Sequence, residues 1–124
     1  MKNNESLYTL IIGASENENR YSNMAVRRLV EKGIPVCAVG KKEGHINNVP
    51  VIKEIPTDKQ FHTVSVYLNP HNQVAIMEKI ISLKPARIIF NPGTENPAFI
   101  QKAKEAGIQP VIACTLVMLT TGDY

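Results

Sequence analysis

The segment Tyr8-Thr9-Leu10-Ile11-Ile12-Gly13-Ala14-Ser15-Glu16-Asn17-Glu18-Asn19-Arg20 decides how this chain reads. Tyr8 to Ile12 is a run rich in β-formers that does not alternate with polar residues, the pattern of a strand covered on both faces. It stops at Gly13. A glycine directly after a strand lets the backbone turn tightly and approach a ligand phosphate, and a following helix start offers free N–H groups and the positive end of its dipole. The polar stretch to Arg20 is longer than most strand-to-helix loops. Ser22 is a candidate N-cap, and Met24, Ala25, Val26, Leu29 and Val30 then recur at helical spacing until Gly33.

The same alternation continues downstream. Pro35–Val39 reads as a second strand, Thr63–Leu68 as a third, Ala86–Phe90 as a fourth and Gln109–Ala113 as a fifth. Between them, Val74, Ile76, Met77, Ile80 and Ile81 mark a second helix. Asn96 followed by Pro97 marks the start of a third, which Gly107 ends. Gly40 to Val49 reads as a loop, Val51 to Ile55 as a short turn or helix, and Leu116 to Leu119 as a last helical turn. Alternating strands and helices imply parallel pairing with right-handed crossovers. The expectation is a single α/β domain over residues 1–124: a Rossmann-like, three-layer, five-stranded parallel sheet in order 3-2-1-4-5, helices on both faces. Ligands in such sheets bind outside the carboxyl ends of the strands where the winding reverses, here beside Gly13.

Composition narrows the function. Apolar residues make up 44% of the chain and charged residues 20%, so a packed core is affordable and disorder is not expected. A net charge of +3 falls short of the clustered basic face that nucleic-acid binding needs. No apolar run approaches the ~20 residues that span a bilayer, and Met1 to Ser6 carries no secretory pattern. Cys37 and Cys114 have no partners at zinc-ligand spacing, and two thiols inside apolar runs suit a reducing cytoplasm. No metal site is expected.

Three polar segments fall on the predicted ligand edge. The first is Gly13-Ala14-Ser15 with Arg20 beyond it. The dinucleotide fingerprint GxGxxG fails there, because Ser15 and Glu18 replace its later glycines. The second is Gly40-Lys41-Lys42 after strand two, where an NAD-binding domain places an acid to accept the adenosine ribose hydroxyl. Two roles are open for this lysine pair, a solvated surface or a phosphate contact. The third is Asn91-Pro92-Gly93-Thr94-Glu95-Asn96, whose Asn91 and Gly93 either orient a ligand or merely build a turn and cap. Glu16, Glu18 and Glu95 are the carboxylates near this edge and read as solvated. His45, His62 and His71 fall in loops or at element starts. No nucleophile, base and oxyanion donor converge, so turnover by the chain alone is not expected.

Over nearly its whole length the chain resembles the small stand-alone coenzyme A-binding domain proteins. These are related to the coenzyme A-binding domain of the succinyl-CoA synthetase α subunit and of the ADP-forming acyl-CoA synthetases. Gly13-Ala14-Ser15, Arg20-Tyr21-Ser22, Gly33-Ile34-Pro35-Val36, Asn91-Pro92-Gly93, Ala106-Gly107 and Cys114 carry the likeness. Val39-Gly40-Lys41-Lys42 stands where the family usually has Val-Asn-Pro-Lys, so the Asn-Pro is missing and Lys42 holds the lysine position. Tyr67-Leu68 replaces an aromatic residue followed by Arg, and Ile112-Ala113 replaces residues that tend to be charged. The resemblance implies coenzyme A or an acyl derivative as ligand, its pyrophosphate at Gly13, Ala14 and Ser15 near Arg20 and its adenosine over strand two near Lys42. An NAD(P)-binding or sensing domain, or a subunit of a split acyl-CoA synthetase, are the other expectations. The apolar run Leu116 to Leu119 raises a homodimer, with burial under the sheet edge as the competing reading.

Overall fold

The computed structural model describes residues 4–124. One sheet organises them. Its strands are β1 (Thr9–Ile12), β2 (Val36–Val39), β3 (Gly44–Ile46), β4 (Val49–Ile52), β5 (Thr63–Val66), β6 (Arg87–Phe90) and β7 (Gln109–Ile112). The helices are α1 (Tyr21–Glu31), α2 (Pro70–Gln73), α3 (Met77–Leu83), α4 (Pro97–Glu105) and α5 (Thr115–Thr121), preceded by a 3-10 turn at Asn4–Leu7. The sheet order is β3-β4-β2-β1-β5-β6-β7, and every pairing is parallel except β3 with β4.

The α/β class and the three layers stand as expected; the strand count and order do not. The sheet has seven strands rather than five. Residues 40–52, expected as a loop and a short turn or helix, form a hairpin. The chain leaves the top of β2, descends as β3 along the outer edge, turns at Asn47-Asn48 and returns as β4 beside β2. Asn47 takes the left-handed conformation this two-residue turn needs. A descending strand thus replaces the helical crossover by which parallel neighbours are usually joined. Pro50 is tolerated because β4 pairs with β2 only from Val51 onward, so its missing amide breaks no bond between those two strands. Thr63–Val66 therefore lies on the far side of β1, not beyond strand two.

Both faces of the sheet are covered. Leu10, Ile12, Val64, Val66, Ile88 and Phe90 face α3 and α4, where Met77, Ile80, Leu83, Phe99 and Ala103 close the core. Phe90 and Phe99 meet edge to face with centroids 5.3 Å apart. On the other face, Ile11, Ala38 and Val51 pack against Ala25, Val26 and Leu29 of α1 and Leu119 of α5. The helix after β1 thus lies on one face and those after β5 on the other, so the winding reverses between these two strands.

Local signals explain the helix ends. α4 begins at Asn96, whose side chain accepts from the Phe99 amide, with Pro97 in the first turn. α1 begins one residue before the expected cap: Arg20 holds the N-cap position without a side-chain bond, and Ser22 is inside the helix and buried. The expected second helix is broken at residues 74–76 into α2 and α3. Of the Leu116–Leu119 run, Leu119 is buried against the core while Val117 remains 57% exposed. In the edge strand β7, the Gln109 and Ala113 amides donate inward to β6. Alternation turns position 110 outward, and as a proline it offers no donor to another sheet edge.

Candidate functional site

The ends of β1, β2, β5 and β6 form the edge on which the sequence-predicted residues fall. Gly13 follows β1 with φ +95°, and a Cβ there would press to 3.1 Å on the Tyr67 backbone just beyond β5. The loops on either side of the reversal therefore touch at this residue, and only glycine fits both the conformation and the space. The Gly13 and Ala14 amides both donate to the Val39 carbonyl at 2.9 Å. They extend the β1–β2 pairing and are not free donors.

Beyond Ala14 the loop bonds largely to itself. The Ser15 hydroxyl accepts from the Asn17 amide at 3.1 Å, the Asn17 side chain accepts from the Asn19 amide at 3.0 Å, and the Asn17 carbonyl accepts from the Arg20 amide. Asn23, buried in the first turn of α1, reaches back and donates to the Ser15 carbonyl at 2.8 Å. Its own side-chain oxygen accepts from Arg27 Nε at 2.8 Å, and Arg27 Nη2 donates to the Glu18 carbonyl. The Ser15, Glu16 and Glu18 amides take part in none of these bonds, nor do the amides of the first turn of α1, which have no intrahelical acceptors. Arg20 is exposed beside them.

Gly40 follows β2, and a Cβ there would come well under 3.0 Å from the Ala14 carbonyl oxygen. Loop and strand end are thus in backbone contact. Lys41 and Lys42 are both exposed on the turn that follows. Glu16, read from sequence as solvated, crosses to this turn: its Oε2 accepts from the His45 amide at 2.9 Å, and a Cβ on Gly44 would collide with its carboxylate. His45, expected in a loop, is in β3.

Asn91 and Gly93 stand apart from this group. β6 is two strands from β1, about 10 Å at the usual strand spacing. Asn91 is buried and fully engaged: Nδ2 donates to Ser65 Oγ at 2.9 Å and to the Val66 carbonyl at 2.8 Å, and Oδ1 accepts from the Thr115 amide at 2.8 Å. Its carbonyl accepts from the Thr94 amide and hydroxyl. Gln73 continues the network, donating to the Leu68 and Thr94 carbonyls and accepting from Asn96. Gly93, exposed with φ +89°, donates to the Glu95 carboxylate.

Sequence reasoning missed Asn23, Arg27 and Gln73, and it placed Glu16 near this edge but as a solvated acid. The i, i+4 spacing of Asn23 and Arg27 was a usable signal; the reach of Glu16 across the chain was not. Two hollows of about 400 and 300 Å³ lie at the opposite end of the sheet, one against Tyr8, Val30 and Pro35 and the other against Leu7, Lys32 and Leu119. Both cysteines are half-buried rather than fully buried, and burial pushes the Cys37 thiol pKa up. His62 Nδ1 lies 2.8 Å from Thr63 Oγ1, and His71 is exposed in α2.

The Tyr67 hydroxyl is buried near Thr115 and Ser65, yet it has no partner in hydrogen-bonding geometry among the described residues. Ser65 and Thr115 bond to each other at 2.7 Å instead. Burial, the largest influence, pushes the Tyr67 pKa up to about 12, and the two hydroxyls offset part of the rise. Removing an unsatisfied buried hydroxyl costs nothing in hydrogen bonds. Tyr67→Phe is expected to melt at or slightly above the parent temperature; a clear fall in thermal denaturation would mean the hydroxyl is bonded.

The model of a family described as CoA binding domain matches residues 8–120. The chain belongs to this family. A crystal structure described as that of an uncharacterized protein is 45% identical, with a TM-score of 0.93 over 98% of this chain and 100% of that one. A protein from Thermus thermophilus (20% identity, 96% of this chain and 91% of that one, TM-score 0.82) shares the fold. So does a hypothetical protein from Pyrococcus horikoshii OT3 (24% identity, 94% and 83%, TM-score 0.80). A search of curated proteins finds no match. Among the described residues no helix is long and apolar enough to cross a membrane.

Proposed function

We propose that this CoA binding domain holds coenzyme A or an acyl derivative along the edge formed by the ends of β1, β2 and β5, and acts as a binding module. The observation that carries the reading is the backbone contact of Ala14 with Gly40, which brings the Gly13–Arg20 loop beside the exposed Lys41–Lys42 turn. A pyrophosphate would lie by Ser15, Arg20 and the first-turn amides of α1, with Gly13 and Ala14 shaping the floor rather than donating. The adenosine end would lie over β2, its 3′-phosphate within reach of Lys42, and the thiol arm would run past Tyr67 toward Gly93. Asn91 holds that wall in place and does not contact the ligand.

Isothermal titration tests this. Coenzyme A should bind more tightly than NAD, and Lys42→Glu should weaken coenzyme A roughly tenfold, the equivalent of ~1.4 kcal/mol, while leaving 3′-dephospho-coenzyme A nearly unchanged. Tighter binding of NAD by the parent would overturn the reading. A specific observation favours that second reading, an NAD site. The carboxylate of Glu16 lies beside the turn after β2, where NAD-binding domains carry an acid.

A further inference from the structure

Glu16 is the one carboxylate that the fold brings from the first loop onto the β2–β3 turn. Three features build its seat. The loop is fixed to β2 by the paired Gly13 and Ala14 amides on the Val39 carbonyl. Gly40 admits the loop backbone because it has no side chain, and Gly44 admits the carboxylate for the same reason. The His45 amide then holds Oε2 at 2.9 Å. A carboxylate accepts about four hydrogen bonds across its two oxygens, so one amide leaves most of its acceptor capacity unused.

The seat lies on the ligand edge, where the turn that leaves β2 enters β3, to the outer side of the strand-two end at which a doubly wound domain receives the adenosine ribose. In nucleotide-binding domains of this kind the ribose hydroxyl acceptor comes from strand two itself. Here the strand ends at Val39 and the turn after it reads Gly40-Lys41-Lys42-Glu43, so its own acid comes four residues late and is exposed, whereas Glu16 is held in place by the His45 amide. We infer that Glu16 supplies the acceptor from the first loop, accepting the 2′-hydroxyl of a bound adenosine and selecting against ligands phosphorylated at that position. The inference rests on an adenine nucleotide binding at this edge, as proposed above, and adds the rule by which the site chooses among such nucleotides.

The physical basis is charge and hydrogen-bond direction. A ribose hydroxyl donates to a carboxylate; a 2′-phosphate has no such donor and meets like charge. The lysines flank the same turn, so a 3′-phosphate has a cation to face and a 2′-phosphate has Glu16. The site should therefore tell adenosine 3′,5′-bisphosphate, the nucleotide part of coenzyme A, from adenosine 2′,5′-bisphosphate, the nucleotide part of NADP.

Isothermal titration of the full chain with the two bisphosphates, coenzyme A and 4′-phosphopantetheine tests this. The parent is expected to prefer the 3′,5′ isomer at least fivefold. Glu16→Gln, which keeps an acceptor for the His45 amide, should narrow that preference to about twofold or less, chiefly by admitting the 2′,5′ isomer. Its affinity for 4′-phosphopantetheine, which has no ribose, should be unchanged. Equal binding of the two isomers by the parent overturns the inference, as does a preference that Glu16→Gln leaves intact. A uniform loss for every ligand, phosphopantetheine included, also overturns it and makes Glu16 a strut of the loop. If the parent binds neither coenzyme A nor either bisphosphate, the functional reading itself falls and the inference with it.

Discussion

Asn91→Ala is expected to lower the melting temperature by roughly 10 °C, an effect of about 3 kcal/mol in a domain of this size. The residue joins three elements. Its amide group ties the end of β6 to Ser65 and Val66 in β5, and its oxygen holds the first amide of α5. Alanine leaves the Thr115 amide and one side of the Val66 carbonyl without partners in a site too closed for bulk water, and each such loss costs about 1–3 kcal/mol. Ser65 keeps its bond to Thr115 Oγ1, which limits the damage there. Asn91→Asp separates the terms: it keeps an acceptor for the Thr115 amide, removes the two donated bonds and buries a carboxylate, so it should also destabilise. Differential scanning calorimetry on both variants measures the effect. A melting point within 2–3 °C of the parent for Asn91→Ala would show that α5 is not anchored through this side chain.

The contrast between Asn91 and Glu16 shows what was legible in the sequence. Asn91-Pro92-Gly93 sits at a strand end, and a polar amide in that place reads equally as a ligand contact or as turn chemistry. Its anchoring role shows only in the Ser65, Val66 and Thr115 partners, as many as 26 residues away. Glu16 reads as a solvated acid because its partner amide is 29 residues downstream, in a strand that was itself not visible. The five strands expected from sequence were legible as short runs rich in β-formers; β1 and β5 bury all four of their residues, although β5 alternates Thr63 and Ser65 with Val64 and Val66. The β3–β4 hairpin has no such run: Gly44, His45, Asn47, Asn48 and Pro50 break it, and only Ile46 and Val51 are buried.

The strand order depended on that hairpin. With it unseen, the strand at Thr63 counts as the third and is assigned beyond β2. In the structure β4 takes that place. Counting the six parallel strands alone gives the order 3-2-1-4-5-6, the usual doubly wound arrangement. The winding rule therefore held once the correct segment was assigned to it, and the reversal still falls beside Gly13. Helix starts followed the same logic. Asn96-Pro97 is a local signal and was readable, whereas α1 starts without a side-chain cap and was placed late.

Gly40→Ala is expected to disturb both stability and binding, because Gly40 is where the fold and the site share one contact. The added methyl would overlap the Ala14 carbonyl, a backbone atom that cannot rotate away, so the loop or the end of β2 must move. Overpacking of this kind costs about 1–3 kcal/mol, and a backbone neighbour puts the figure toward the upper end. The displaced loop carries Glu16 with it, so the bond to the His45 amide should weaken and that amide should exchange with solvent faster. Coenzyme A, on the reading proposed here, should then bind about tenfold or more weakly. Gly107→Ala is the matched control: it stands in open space with φ +78°, so it bears only the strain of the left-handed conformation, about 1–2 kcal/mol, and leaves the loop alone. Hydrogen exchange at His45 distinguishes the two, since both variants lose stability but only Gly40→Ala opens the loop. If His45 exchanges at the parent rate in Gly40→Ala, the first loop is not seated on the end of β2, and the shared edge on which the lysines and Glu16 meet does not form.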